Sequence, residues 1–295
     1  MSRLSAVVLA LALLANAAPS LLARQAITAL SSAQVSAFKP YSFYAAAGYC
    51  SPASTLAWNC GVNCNANPTF HPIASGGDGN GVQFWYVGVD TALGTVIVAH
   101  QGTDTSKILP LVTDSDFFLE SLDPTLFPGL GSSIEAHSGF ANEQSKTAPL
   151  VLAAVQTALS TSGLKTVTIV GHSLGAAIGL IDSVYLPLHI TGVTFKSIFY
   201  GLPRVGNQAF ADRASVGSTV THINNKEDIV PILPGKFLGF HHPTGEVHIQ
   251  DSGVWDTCPG EDNPSTLCST GDVPNIFEGD ESDHDGPYDG VLMGC

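Results

Sequence analysis

Residues 165–180, KTVTIVGHSLGAAIGL, set a β-branched run directly against a stretch of helix-forming residues, with G-x-S-x-G at the seam, formed by Gly171, Ser173 and Gly175. An apolar, β-branched run is the composition of a strand covered on both faces, and Leu174 to Leu186 read as a helix that follows with no loop between. So sharp a turn needs glycines where side chains would collide, and it leaves Ser173 proud of the sheet at a helix N-terminus. Taken alone, G-x-S-x-G is equally a glycine-punctuated bend. At a strand-to-helix seam it becomes the expected seat of a nucleophile.

The flanking sequence extends the pattern. A helix-prone segment from Ala26 to Tyr49 precedes a Cys-, Asn-, Gly- and Pro-rich stretch to Asn80, and VQFWYVGVD and TVIVAH follow as β-rich runs. KTAPLVLAAVQTALSTSG has apolar residues at helical spacing and stops at Ser162 and Gly163. VTFKSIFYG, AFADRASV and STVTHIN then read as strand, helix and strand. Strands alternating with helices predict an α/β fold with a mostly parallel central sheet and helices on both faces. GGDGNG, from Gly76 to Gly81, precedes a strand instead of joining a strand to a helix, so it reads as a turn and not as a phosphate-binding loop.

Of 295 residues, 44% are hydrophobic and 12% charged, enough for one large core. MSRLSAVVLALALLANAAPS carries Arg3, an apolar run from Leu4 to Leu14 and a small-residue site, Ala15-Asn16-Ala17, the layout of a secretory signal peptide over residues 1–17. The run falls short of the ~20 apolar residues that span a bilayer, so no transmembrane anchor is expected. APSLLARQ can serve as a short pro-segment to about residue 25, leaving residues 26–295 as a single domain. Six cysteines in an exported chain favour disulfides, with Cys60–Cys64 and Cys258–Cys268 as local loops and Cys50–Cys295 as a staple between the chain end and the start of the domain. A zinc half-site at Cys60 and Cys64 is the alternative, but no second ligand pair follows at metal-site spacing. The 11 basic and 25 acidic residues give a formal net charge of −14, which repels nucleic acid and anionic membrane surfaces. Both N-x-[ST] triplets, at Asn67 and Asn263, have proline in the middle and are not expected to accept an N-glycan.

A serine hydroxyl needs a base, and the base needs a carboxylate to orient it. Behind such a seam the partners follow in the order acid, then histidine. THINNKEDIVPILP offers Asp228 just after the predicted strand, with Glu227 as its neighbour and rival. The polar NNKE run reads as solvated, whereas IVPILP pins the backbone after Asp228. Among the downstream histidines, His189 and His222 precede the acid, His248 lies in the strand-like EVHIQ, and the adjacent His241 and His242 make a poor metal half-site. His284, in a polar, glycine-rich loop near the chain end, is the candidate base.

Together these motifs resemble the fungal class 3 lipases of the Rhizomucor and Thermomyces type, over about Ser36 to Cys295. GHSLGA is similar to the family's elbow, GLPRVGN (201–207) to GAPRVGN, NKEDIVPILP to the N-x-x-D-x-V-P-x-L-P acid loop, and DHDGPYDGV to the C-terminal D-H motif. HSGF (137–140) and HPTGE (242–246) also match, which implies structural roles for His137 and His242. The resemblance implies the α/β-hydrolase fold, with Ser173 as nucleophile, His284 as general base and acid, and Asp228 orienting it. It implies an oxyanion hole made by the backbone N–H of Leu174 and by Thr103, which stands at the Ser or Thr of the family's F-R-G-[ST]. Here that motif reads His100-Gln101-Gly102-Thr103, so His100 replaces Phe and Gln101 replaces Arg. The next segment, Asp104 to Leu122, corresponds to the family's lid. Ile108, Leu109, Leu111, Val112, Phe117 and Phe118 give it an apolar face, and Pro110 makes any lid helix short or starts it there.

Around His284, EGDESDHDG crowds Glu278, Asp280, Glu281, Asp283 and Asp285. A calcium loop fits only partly, because Glu281 stands where Asp is required and Leu292 where the closing Glu belongs. A solvated acidic loop is the expectation, and its carboxylates would favour the imidazolium, moving the acid limit of activity to higher pH. The reading is a secreted carboxylic ester hydrolase that works through an acyl-enzyme with no cofactor and no metal. By the resemblance its substrate is a triacylglycerol at an oil–water interface. A feruloyl or other soluble ester is the alternative, and a non-catalytic binding protein of the same fold is the rival from another class.

Overall fold

The computed structural model of the chain describes residues 26–103 and 118–295. In chain order its strands are β1 (Thr28–Ala29), β2 (Phe70–Gly76), β3 (Trp85–Asp90), β4 (Thr95–His100), β5 (Leu119–Ser121), β6 (Glu135–His137), β7 (Thr166–His172), β8 (Thr194–Tyr200), β9 (Thr219–Asn225), β10 (Glu246–Ile249) and β11 (Trp255–Cys258). The helices are α1 (Ser32–Ser36), α2 (Lys39–Ala47), α3 (Pro52–Leu56), α4 (Val62–Asn65), α5 (Ser138–Ser162), α6 (Leu174–His189), α7 (Gln208–Gly217) and α8 (Ser269–Asp272). The main sheet runs β1-β11-β10-β9-β8-β7-β4-β3-β2, and β5 pairs with β6 in a separate ribbon. From β10 to β4 every neighbour is parallel, and the pairs beyond them on both sides are antiparallel. The fold is the α/β-hydrolase architecture.

β7 sits inside the parallel block, and its composition follows from that place. Val167 and Ile169 pack with residues of α5 and α6 on one face, while Val170 packs with α2 and with Tyr288 and Val291 on the other. A strand buried on both faces has no polar side to show. Three features escape a local reading. Thr28–Ala29, inside a helix-prone segment, pairs antiparallel with β11. β2 lies in the stretch of irregular composition; it is an edge strand, where a register shift between Pro72 and Ala74 accommodates the proline. α5 begins at Ser138, two turns before Lys146, because the His137 imidazole caps it, with Nδ1 accepting from the Phe140 N–H at 3.4 Å. Histidine is not among the usual N-cap residues, so the start is hard to see in sequence.

Disulfides join Cys50 to Cys295, Cys60 to Cys64 and Cys258 to Cys268. The first ties the chain end to the residues just after α2 across a separation of 245 residues. The signal peptide and pro-segment read over residues 1–25, and the lid positions Ile108, Leu109, Pro110, Leu111, Val112 and Phe117, lie outside the described residues. Among the described residues, no helix is long and apolar enough to cross a membrane.

Below the sheet's C-terminal edge the core stores neutral histidines. The rings of His222 and His242 stack at 4.8 Å, and each offers Nε2 to a carbonyl, of Pro243 and Pro231 respectively. Burial holds both at about 4, the second ring opposing the charge on His222. Each is therefore neutral when folded and charged when unfolded between pH 6.5 and 4. In that window the unfolded chain binds more protons, so stability falls as pH falls, by about 1.4 kcal/mol per pH unit for each such group. Urea midpoints measured at pH 7 and pH 5 are expected to differ by several kcal/mol of unfolding free energy; equal midpoints would contradict the buried, neutral assignment.

Candidate active site

At the seam the chain passes from β7 to α6 through Ser173, whose backbone (φ 59°, ψ −129°) lies in a region that side chains other than glycine avoid. Such a conformation costs on the order of 1–3 kcal/mol and persists only where the surroundings impose it. They do: the Ser173 N–H donates to the Tyr200 carbonyl at 3.0 Å, and its own carbonyl accepts from Ala176 and Ala177. Gly171 and Gly175 make the turn sterically possible. A Cβ on Gly171 would meet the Gly175 carbonyl oxygen at 2.4 Å, and one on Gly175 would meet the His100 oxygen at 2.3 Å. The Ser173 hydroxyl is buried and has no hydrogen-bond partner among the described residues.

Asp228 follows β9 and is buried, whereas Glu227 points to solvent. The Asp228 Oδ1 accepts from the Val230 N–H at 2.8 Å, which fixes the plane of the carboxylate. Its Oδ2 lies 2.8 Å from His284 Nδ1. With a carboxylate as acceptor, Nδ1 carries the proton and Nε2 the lone pair, a tautomer assigned from this bonding pattern. Nε2 is buried and has no partner among the described residues. The structure thus brings the predicted acid to the predicted base and leaves a free basic nitrogen and a free hydroxyl in the same buried region.

The other histidines have structural partners. His189 Nε2 bonds the Leu126 carbonyl and His248 Nε2 the Lys226 carbonyl, while His241 lies 3.5 Å from Asp262. The acidic residues around His284 are exposed or half-buried, as expected of a solvated loop. Asp280 caps the Ser282 N–H, Asp283 pairs with Lys226 at 3.3 Å, and Glu278 accepts from Asn275. The His284 ring hydrogen-bonds a single carboxylate, that of Asp228. Three of the loop's carboxylates, those of Glu278, Asp280 and Asp283, thus take local partners, with Asp280 at the N-cap of the 3-10 turn over Glu281–Asp283.

Several residues of the site have no signal in sequence strong enough to assign a role. The His284 carbonyl accepts from His172 Nε2 at 2.8 Å and from the Tyr288 hydroxyl at 3.0 Å, so its backbone is held twice. His172 Nδ1 in turn accepts from the Tyr49 hydroxyl at 2.6 Å. Burial and the adjacent His284 ring, 4.3 Å away, hold His172 well below the ordinary histidine range, so it stays neutral and keeps this bonding pattern. Gly201, the first residue of GLPRVGN, lies under the acid–base pair at φ 52°. A Cβ there would meet His284 Cε1 at 2.7 Å, Nδ1 at 2.8 Å and Asp228 Oδ2 at 3.1 Å. Gly201→Ala is expected to displace the imidazole and lower kcat by about 100-fold, the cost of a misplacement near 1 Å. A steady-state ester assay with a parallel unfolding curve checks it, and wild-type kcat in a folded variant would show the ring is not so constrained.

Thr103 lies three residues beyond the end of β4. The Gln101 N–H donates to the Phe84 carbonyl and its side-chain oxygen accepts from the Phe84 N–H, each at 2.8 Å, which extends the strand pairing past His100. Gly102 has no room for a side chain, since a Cβ would meet the Tyr49 hydroxyl at 2.1 Å. The Thr103 Oγ1 is buried without a partner among the described residues. Leu174 is the first residue of α6, so its N–H has no acceptor within the helix. An apolar cavity of about 800 Å³ lies along the chain after Asp228, lined by Ile232, Leu233, Pro234, Phe240, Val273 and Ile276 among others. Ser173, Asp228 and His284 are not part of its wall. At its rim Phe237 is 89% exposed and Phe118 65%, and Phe277, next to Ile276, is 90% exposed.

Comparison with known proteins places the chain among lipases. The sequence model of one family, described as lipase (class 3), matches residues 97–238. Over 223 residues, 74% of this chain and 71% of the relative, the protein is 32% identical to one named as a secreted mono- and diacylglycerol lipase of Malassezia globosa. Among solved structures it is similar to lipase II from Rhizopus niveus, with a TM-score of 0.78 and 26% identity across 91% of this chain and 99% of that one. It is also similar to a triacylglycerol lipase described as having a serine protease triad at its catalytic centre, with a TM-score of 0.77 and 25% identity across 91% and 98% of the two chains.

Proposed function

Because the chain belongs to the class 3 lipase family, we propose that Ser173, His284 and Asp228 hydrolyse acylglycerol esters through an acyl-enzyme. The protein is a carboxylic ester hydrolase. His284 Nε2 takes the proton as the Ser173 oxygen bonds to the ester carbonyl carbon. The carbonyl oxygen, now negative, is held by the Leu174 N–H and Thr103. Collapse of the tetrahedral intermediate breaks the bond to the alcohol oxygen, which leaves with the proton from His284. Water then attacks the acyl-enzyme by the same route, and Asp228 stabilises the imidazolium each time it forms.

The observation that carries this reading is Ser173 itself. A strained backbone and a buried hydroxyl with no partner both cost stability, and a nucleophile waiting for its substrate accounts for both. The exposed phenylalanines Phe118, Phe237 and Phe277 support an oil–water interface as the place of action, with the segment from Asp104 to Leu122 as the lid. Secretion follows from the signal peptide read over residues 1–17 and accords with relatives named as secreted. Partial acylglycerols are the second reading, favoured by the name of the 32% identical relative. The deciding assay compares mono-, di- and trioleoylglycerol emulsions with a soluble feruloyl ester. Turnover of the feruloyl ester alone would overturn the acylglycerol reading.

A further inference from the structure

The loop that carries Thr103 is anchored by a carboxylate that has no part in the proton transfer. Asp182 lies on α6, nine residues after Ser173, and is 1% exposed. Its Oδ2 is 2.7 Å from His100 Nε2, and its Oδ1 accepts from the Gln144 side-chain amide of α5 at 2.8 Å. His100 and Gln144 are as deeply buried. Ile178, Leu180, Ile181 and Val184, around Asp182 on the same helix, are core residues. Desolvating a carboxylate in such a place is costly, and apolar residues of similar volume often pack as stably, so stability alone does not account for it.

Geometry supplies a reason. Gly175 and Asp182 are two helical turns apart and share one face of α6. At Gly175 that face receives the His100 carbonyl so closely that no side chain would fit, and at Asp182 it binds the His100 ring. His100 is thus held at its backbone and at its side chain by the helix whose first N–H belongs to Leu174. It is also the last residue of β4, from which Gln101, Gly102 and Thr103 depart. The F-R-G-[ST] pattern places its cation one residue later, where this chain has neutral Gln101 bonded to Phe84. Here the polar anchor stands at His100, with Asp182 as its counterpart.

We propose that Asp182, acting through His100 and supported by Gln144, is a positioning residue for the oxyanion hole. It locks the loop bearing Thr103 to the helix bearing Leu174, so the two donors keep one spacing as the carbonyl becomes tetrahedral. This rests on the reading of Thr103 and Leu174 as those donors. Loss of one oxyanion donor lowers kcat by about 100- to 1000-fold, and a donor that is loosened instead of removed should lose part of that.

The test measures kcat per active site, titrated with a serine-directed phosphonate, together with KM, thermal midpoint and the affinity of an alkyl boronic acid that forms a tetrahedral adduct with Ser173. Asp182→Asn is expected to lower kcat about 10- to 100-fold, to weaken the boronic acid by a similar factor, and to leave KM within about 2-fold. If that variant does not fold, the packed apolar triple His100→Phe/Gln144→Leu/Asp182→Leu is expected to fold and to show the same split. Wild-type kcat per titrated site and wild-type boronic acid affinity in a folded variant would overturn the proposal, as would a loss seen only in thermal midpoint. A wild-type enzyme that neither reacts with the phosphonate nor binds the boronic acid would instead overturn the reading of Ser173 and its oxyanion hole.

Discussion

Ser173→Ala is expected to reduce kcat by about a million-fold, the loss typical of removing the nucleophile from such a triad, and to abolish phosphonate labelling. The residual rate should still exceed that of water, because the oxyanion donors remain. Ser173→Gly should be equally inactive but more stable than wild type, by about 1 kcal/mol. Glycine relieves the positive φ, while its greater freedom in the unfolded chain offsets part of the gain. The substitution also removes a buried hydroxyl without a partner. Activity from a fluorogenic ester and a urea midpoint, taken on the same samples, test both halves. A glycine variant less stable than wild type would mean that the strain at residue 173 is not real.

Asp228→Asn is expected to lower kcat by about 10,000-fold with little change in stability. The reason lies in the Val230 N–H, which already donates to one oxygen of the side chain. An asparagine would keep its carbonyl oxygen on that donor and turn its NH2 towards His284 Nδ1. The imidazole would then have to accept at Nδ1 and carry its proton on Nε2, the atom that must receive the proton of Ser173. Orientation and charge are lost together. Glu227→Gln, at the exposed neighbour, is expected to leave kcat within about 2-fold of wild type, since surface substitutions away from a site change little. A large loss from the glutamate and none from the aspartate would reverse the assignment.

Much of this site is legible in the chain because its signals are local. The seam from Val170 to Gly175 combines a strand composition, a helix composition and two glycines within a few residues, and each follows from a steric rule that acts over a turn of chain. Asp228 and His284 are legible by their order and flanks, and Asp228 is separated from Glu227 by the apolar run that follows it. The individual partners in the acidic loop are not legible in this way. Asp280 and Asp283 are near His284 in sequence, but a single 3-10 turn sends one to a backbone N–H and the other to Lys226.

By itself the sequence determined the α/β alternation and the elbow, and it singled out Ser173, Asp228 and His284 as the candidates now proposed as nucleophile, acid and base, because backbone sterics and the order of hydrophobic runs act between near neighbours. Only the tertiary structure decided what holds those groups at their working positions. Gly201 matters because the imidazole of a residue 83 positions later lies on it, and His172 because its ring meets the His284 carbonyl. Asp182 matters because two helical turns of α6 happen to match the reach of His100. Close approaches of this kind depend on how strands and helices stack, and stacking is a property of the whole core, which no short window of residues contains.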